Sequence, residues 1–170
     1  MTFLLLLRRI SAPQTSLLGR RPGTEDFVAL SRNPEAEPLD RTLIFRADSG
    51  WFYANAPVME VRLTEAMEAM PEPPSLVIID MATAPMVDLG VMDTLAELSE
   101  DLHHRGVRLE FAYVYAAVAE RLQRYSDVFA TVHPNESIDA ILDRIKEQGH
   151  GNDAQGARAM AAEGVERRDE

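Results

Sequence analysis

At 170 residues and 46% hydrophobic, the chain is long enough to bury one globular core with additional length outside it. It has no cysteine, which excludes disulfides, thiolate zinc sites and thiol nucleophiles, and its net charge of −11 argues against general nucleic-acid binding. Lys146 is the only lysine among 17 basic residues, and it lies far from any glycine-rich loop, so P-loop, Schiff-base and kinase-type lysine chemistry are removed as well.

In chain order, Phe3–Leu7 is apolar and is followed at once by Arg8 and Arg9. Such a run is too short to span a bilayer, which needs ~20 residues. Basic residues after the run, without a small-residue cleavage site, do not fit a signal peptide. Two readings stay open: an apolar arm that docks on its own domain, or the end of a transmembrane helix. In the second, Arg8, Arg9, Arg20 and Arg21 would flank the membrane. Residues 8–40 read as a linker, because Pro13, Pro22, Pro34 and Pro38 interrupt any helix and Arg21-Pro22-Gly23 is turn chemistry.

Thr42–Arg46 is the first expected strand, and Trp51-Phe52-Tyr53, after the Asp48-Ser49-Gly50 turn, is the second. Asn55 is placed to cap a helix with Pro57 in its first turn, an apolar stripe at Met59, Leu63, Ala66, Met67 and Met70, and Pro71 as its stop. An apolar strand over 75–80 ends in Asp80. Asp88 then opens a second helix with its stripe at Val91, Leu95, Leu98 and Leu102, ended by Gly106. Val107–Val114 is the next strand, Ala117–Tyr125 a helix and Val128–Val132 a short edge strand. A last helix runs over Asn135–Gln148 with its stripe at Ile138, Ile141, Leu142 and Ile145. Residues 149–170 lack core-forming side chains and read as a disordered tail. Alternating strands and helices imply an α/β fold: a mixed, mainly parallel sheet with amphipathic helices packed on it.

The loop between Asp80 and Asp88 lies at a strand's carboxyl end, where open α/β sheets meet their partners. Asp80, Asp88 and Asp93 could in principle hold Mg²⁺ there. Asp88 is better explained as a helix cap, and Asp93, further into the helix, as facing solvent or a neighbouring turn. His103 and His104 are adjacent on a helix end and point in different directions, so they do not chelate one metal; a cation there favours the macrodipole. No serine lies in a G-x-S-x-G context. The expectation is therefore no enzyme, no metal and no cofactor. Met59, Met67, Met70, Met81, Met86 and Met92 could form an adaptable binding surface but read as core filler at helical spacing; if the loop is exposed, Met86-Val87 would be a small apolar docking patch.

These segments resemble the STAS domain, shared by sulfate-transporter tails and anti-sigma factor antagonists, and are most similar to the C-terminal domain of SulP-type anion transporters. The resemblance is carried by LLLLRRISAPQTSLLGRRPGTEDF, FRADSGWFYANA, IIDMATAPMVDLGVMDTLAEL, and RGVRLEFAYVYAAVAERL with VFATVHPNESIDAIL. It implies a STAS domain over 41–148, a transmembrane-helix remnant at 1–7 and a linker at 8–40. It implies a non-enzymatic regulatory or protein-interaction module at the cytoplasmic face of a membrane. The expected partner is a transporter's transmembrane domain, a soluble regulator or a second copy, with no membrane span of the chain's own. The interaction loop would comprise Met86, Val87, Asp88, Leu89, Gly90, Val91 and Asp93. Regulated members of the family carry a phosphorylatable hydroxyl at the helix start; here Gly90 stands at that position and cannot be phosphorylated. The resemblance thus implies a constitutive interaction domain. The alternatives are a free-standing anti-sigma factor antagonist-like signalling protein and a weak nucleotide-binding module using the backbone N–H groups at Asp88–Gly90.

Overall fold

The computed structural model describes residues 14–148, so the expectations for 1–7 and 149–170 lie outside the described residues. One compact unit runs to Ile138, and a second begins at Asp139. The first holds a five-stranded sheet of β1 (Thr15–Arg20), β2 (Phe27–Ala29), β3 (Thr42–Ala47), β4 (Leu76–Asp80) and β5 (Arg108–Ala112). Its spatial order is β2-β1-β3-β4-β5. The helices are α1 (Ala56–Glu68), α2 (Leu89–His104) and α3 (Ala116–Tyr125), followed by a 3₁₀ turn at Asp127–Phe129. Residues 138–148 are helical; in the second unit Lys146 Nζ pairs with Asp143 Oδ1 at 3.2 Å.

β4 is the middle of the three parallel strands and is buried at every position. Parallel pairing on both sides, Ile79 with Phe45 and with Phe111, leaves it no free edge, and its residues are buried whichever face they point to. This is why Leu76–Ile79 is continuously apolar rather than alternating. One face of the sheet, with Leu43, Phe45, Val77, Ile79 and Phe111, packs against Met59, Leu63 and Met67 of α1 and Val91, Leu95, Leu98 and Leu102 of α2. Each of these large side chains contributes about 1.5–3 kcal/mol by leaving water. The α2 stripe is thus the one its 3.6-residue period predicts. Gly106, at φ +71°, directs its N–H to the carbonyl of His103 at 2.9 Å and turns the chain into β5.

Four local expectations are corrected. Trp51–Tyr53 is not a strand but a loop with Trp51 buried beside Phe45, ring centroids 6.3 Å apart. The antiparallel neighbour of β3 is instead β1, within the span read as a linker, with Thr15 opposite Ala47 and Leu17 opposite Phe45. Pro13 and Pro22 bracket this strand without interrupting it, and its stability comes from non-local pairing, which local composition does not show. β2 pairs antiparallel with β1 across the Arg21–Asp26 turn. Val128–Val132 is not an edge strand: Phe129, at the end of a 3₁₀ turn, and Val132, three residues beyond it, are both buried, and Phe129 meets Phe111 edge-on at 5.8 Å. The last helix begins at residue 138 rather than Asn135, whose φ of +56° breaks helical geometry.

Among the described residues, no helix is long and apolar enough to cross a membrane.

Candidate functional site

Two loops meet at the carboxyl end of the parallel strands. The first, 48–55, leaves β3; the second, 81–88, leaves β4. Gly50 lies between them at φ +77°, and a Cβ there would come within 3.0 Å of the Thr83 carbonyl oxygen, so both conformation and space require glycine. The Thr83 hydroxyl donates to the carbonyl of Ala47, tying the second loop to the end of β3.

Asp88 joins the loops electrostatically. Its Oδ1 accepts the N–H of Val91 at 3.0 Å, capping α2, and its Oδ2 accepts the N–H of Tyr53 at 2.9 Å. Those backbone donors, Tyr53 first and Val91 second, hold its carboxyl below the usual carboxylate range. Asn55 occupies the position before α1 but does not cap it. Its buried amide instead accepts from the N–H of Phe52 at 2.9 Å and donates to the carbonyl of Gly50 at 3.0 Å, closing the first loop on itself. Trp51 is buried beneath these bonds, and its indole Nε1 has no hydrogen-bond partner among the described residues. An unpaired buried donor of this kind costs about 1–3 kcal/mol. Trp51, Phe52, Pro85, Met86 and Asp88 line one cleft of about 280 Å³ between the loops.

The expected interaction residues separate into two groups. Met86 is 78% exposed and Leu89 60%, whereas Val87, Val91 and Met92 are buried. The expected Met86-Val87 patch is therefore Met86 without Val87, because Val87 turns into the core. Gly90 is half-buried beneath the ring of Tyr53: a Cβ there would meet Tyr53 Cδ2 at 2.4 Å. Thr94 donates its hydroxyl to the Gly90 carbonyl at 3.0 Å and is thus engaged within its own helix. Asp93 is exposed and accepts from the hydroxyl of Tyr125. Phe52 and Tyr53, 48% and 73% exposed, add two more apolar side chains, and Phe52 lines the cleft with Met86. They were not expected there, although three consecutive aromatics directly after the Ser49-Gly50 turn were the available signal.

Asp80, Asp88 and Asp93 are not brought together. Asp80 is buried, accepts the Ala82 N–H at 2.9 Å and lies 3.6 Å from Arg46 Nη1. Burial raises its pKa despite that hydrogen bond and the arginine. Arg46 also reaches Asp48, which in turn accepts from Ser16 at 2.6 Å and Arg32 at 3.3 Å. His103 and His104 end α2 with ring centroids 6.4 Å apart. Among the described residues no three His, Asp or Glu side chains converge as a metal site.

A mixed sheet whose central parallel strand leads through a short loop into a carboxylate-capped helix defines an α/β domain with its accessible site at the strands' carboxyl ends. The STAS domain model matches residues 33–139, and the chain belongs to the STAS domain family. It is 27% identical over 129 residues to High affinity sulfate transporter 2 of Stylosanthes hamata, covering 71% of this chain and 20% of that protein. It is also 27% identical over 126 residues to a probable sulfate transporter of Mycobacterium tuberculosis, covering 74% and 22%. The chain thus spans about a fifth of the length of these curated relatives. Its fold is similar to part of the murine Solute Carrier 26 family member A9 anion transporter in the inward-facing state, with TM-score 0.68, 22% identity and coverage of 83% of this chain and 24% of that one. It is also similar to the SulP transporter STAS domain from Vibrio cholerae, with TM-score 0.50, 18% identity and coverage of 71% and 94%.

Proposed function

We propose that the chain is a regulatory, non-enzymatic protein-interaction module of a SulP-like sulfate or other anion transporter. In this reading it works at the cytoplasmic face of the membrane, and the Met86–Asp93 loop with the start of α2 is its docking surface. The supporting observation is the group Phe52, Tyr53, Met86 and Leu89, four large apolar side chains left in water on two adjoining loops, of which Phe52 and Met86 line one cleft. Burying them on a partner is favourable, and few soluble surfaces leave such residues grouped without one. Nearby polar groups are already committed: Asp88 to two backbone donors, Asp80 to Arg46 and Thr94 to Gly90. Interaction rather than catalysis is the use this leaves for the site. Gly90 carries no hydroxyl and lies under Tyr53, which favours constitutive docking over a phosphate-controlled switch.

The test is co-purification of the chain with the membrane domain of a SulP-family transporter from the same source. Wild type is expected to bind, and the double substitution Met86→Asp with Leu89→Asp to lose binding while keeping the wild-type melting temperature. Equal binding by both proteins would refute the assignment of this surface.

A further inference from the structure

The docking loop runs without a break into the outward face of α2. Leu89, 60% exposed, opens the helix, and Asp93, Glu97, Glu100 and Asp101 follow it. At 3.6 residues per turn these five side chains share one side of α2, opposite the buried stripe of Val91, Leu95, Leu98 and Leu102. From Asp93 to Asp101 every exposed residue of the helix is acidic. Within the fold this arrangement is unfavourable. Asp93 with Glu97, and Glu97 with Asp101, are like charges at i, i+4, and Glu97 with Glu100 at i, i+3. Asp101 also lies in the last turn, at the negative end of the helix dipole. Local compensation reaches only the two ends of the stripe: Asp93 accepts from the Tyr125 hydroxyl, and Asp101 pairs with Arg105 at 3.4 Å. Among the described residues the carboxylates of Glu97 and Glu100 have no ion-pair partner.

We propose that the segment seated on this surface is a cationic amphipathic stretch of the transporter's membrane domain, with apolar side chains against Phe52, Met86 and Leu89 and Arg or Lys residues along Asp93, Glu97, Glu100 and Asp101. From Leu89 to Asp101 the face extends about 18 Å, the length of roughly three helical turns of such a segment. Cytoplasmic ends of membrane helices are enriched in Arg and Lys, so they carry the complementary charge where the docking reading needs it. A bilayer surface does not, because its anionic headgroups repel the stripe. A second copy in an isologous contact would set the acidic face against itself. The apolar group supplies attachment, while the acids fix the orientation of the segment and speed its capture. This rests on the reading of the Met86–Asp93 face as a docking surface and names the chemistry of its partner.

The test is binding of the full chain to the purified membrane domain of a SulP-family transporter from the same source, measured at about 0.05 M and about 0.5 M salt. Glu97→Gln with Glu100→Gln is expected to weaken binding about tenfold at low salt, the difference shrinking to about twofold at high salt. Both positions are exposed and the change relieves repulsion, so this variant should melt no lower than wild type. Glu68→Gln with Glu72→Gln removes the same charge from exposed positions at and beyond the end of α1, and should bind like wild type. Equal binding by wild type and the Glu97, Glu100 variant would overturn the proposal. So would an equal loss in the Glu68, Glu72 variant, which would make net charge the cause. A wild-type dimer dissociated by the Glu97 and Glu100 substitutions would make a second copy the occupant and overturn it as well. If Met86→Asp with Leu89→Asp abolishes binding while the Glu97 and Glu100 substitutions do not, the docking surface stands and its cationic partner fails. If neither pair changes binding, or wild type does not bind, the docking reading itself fails and the cationic partner with it.

Discussion

The backbone N–H of Tyr53 donates to Asp88 across 2.9 Å, and the ring of the same tyrosine covers Gly90 two residues further on. One carboxylate therefore joins the loop leaving β3 to the helix following β4. One aromatic ring covers the helix backbone at the position where a hydroxyl would have been informative.

Replacing Asp88 should loosen both loops. Asp88→Ala removes the α2 cap and the Tyr53 acceptor together, and a loss of about 1–2 kcal/mol is expected, near the upper part of the range for helix caps. Asp88→Asn keeps an acceptor oxygen and should cost less. The carboxyl is held below its usual range, so its contribution is present above the unfolded value of 3.8 and disappears as pH falls through the folded value. Urea unfolding of wild type and Asp88→Ala should therefore converge in acid and separate at neutral pH.

Gly90 and Tyr53 should be energetically coupled. Alanine in a helix is favoured over glycine by up to about 1 kcal/mol, but a Cβ at Gly90 must displace the Tyr53 ring. Gly90→Ala is expected to gain little in the wild type and to stabilise once Tyr53→Ala has removed the ring. A double-mutant cycle by thermal or urea unfolding measures the difference, and additive single effects would contradict the overlap.

Asp80 should behave opposite to Asp88 with pH. Burial raises its pKa, so its favourable contribution is complete below 3.8 and is lost as pH rises through the folded value. Asp80→Asn, which can still accept the Ala82 N–H, should be at least as stable as wild type at pH 7 and lose that advantage in acid. A clear destabilisation at pH 7 would show that the Arg46 pair outweighs desolvation.

Asn55 should matter for the loop rather than for α1. Asn55→Ala removes the bonds to Phe52 and Gly50 from a buried position, and a loss of about 1–3 kcal/mol is expected. Trp51 fluorescence should report the loosening, while far-ultraviolet circular dichroism keeps the signal of α1.

Much of the scaffold was legible because it is written locally. Leu76–Ile79 announces a strand buried on both faces, and Asp88 followed by Val91, Leu95, Leu98 and Leu102 announces a capped amphipathic helix. Gly106 marks the helix end in the same way. The strand at Thr15–Arg20 was hidden because its partner in the main sheet, β3, lies about 30 residues away and prolines flank it. Trp51-Phe52-Tyr53 misled for the opposite reason: three aromatics satisfy strand composition, but Gly50 and Asn55 fold them into a closed loop.

For the candidate site, the sequence by itself determined Asp88 as the helix cap, the missing hydroxyl at Gly90 and an apolar loop around Met86. Periodicity, capping chemistry and residue identity are properties of short segments, so they need no knowledge of the fold. Only the tertiary structure decided that Val87 turns inward, that Tyr53 covers Gly90 and that Phe52 joins Met86 at one cleft. Those relations depend on β3 lying beside β4, and which residues two loops bring together is fixed by strand pairing rather than by either loop's own sequence.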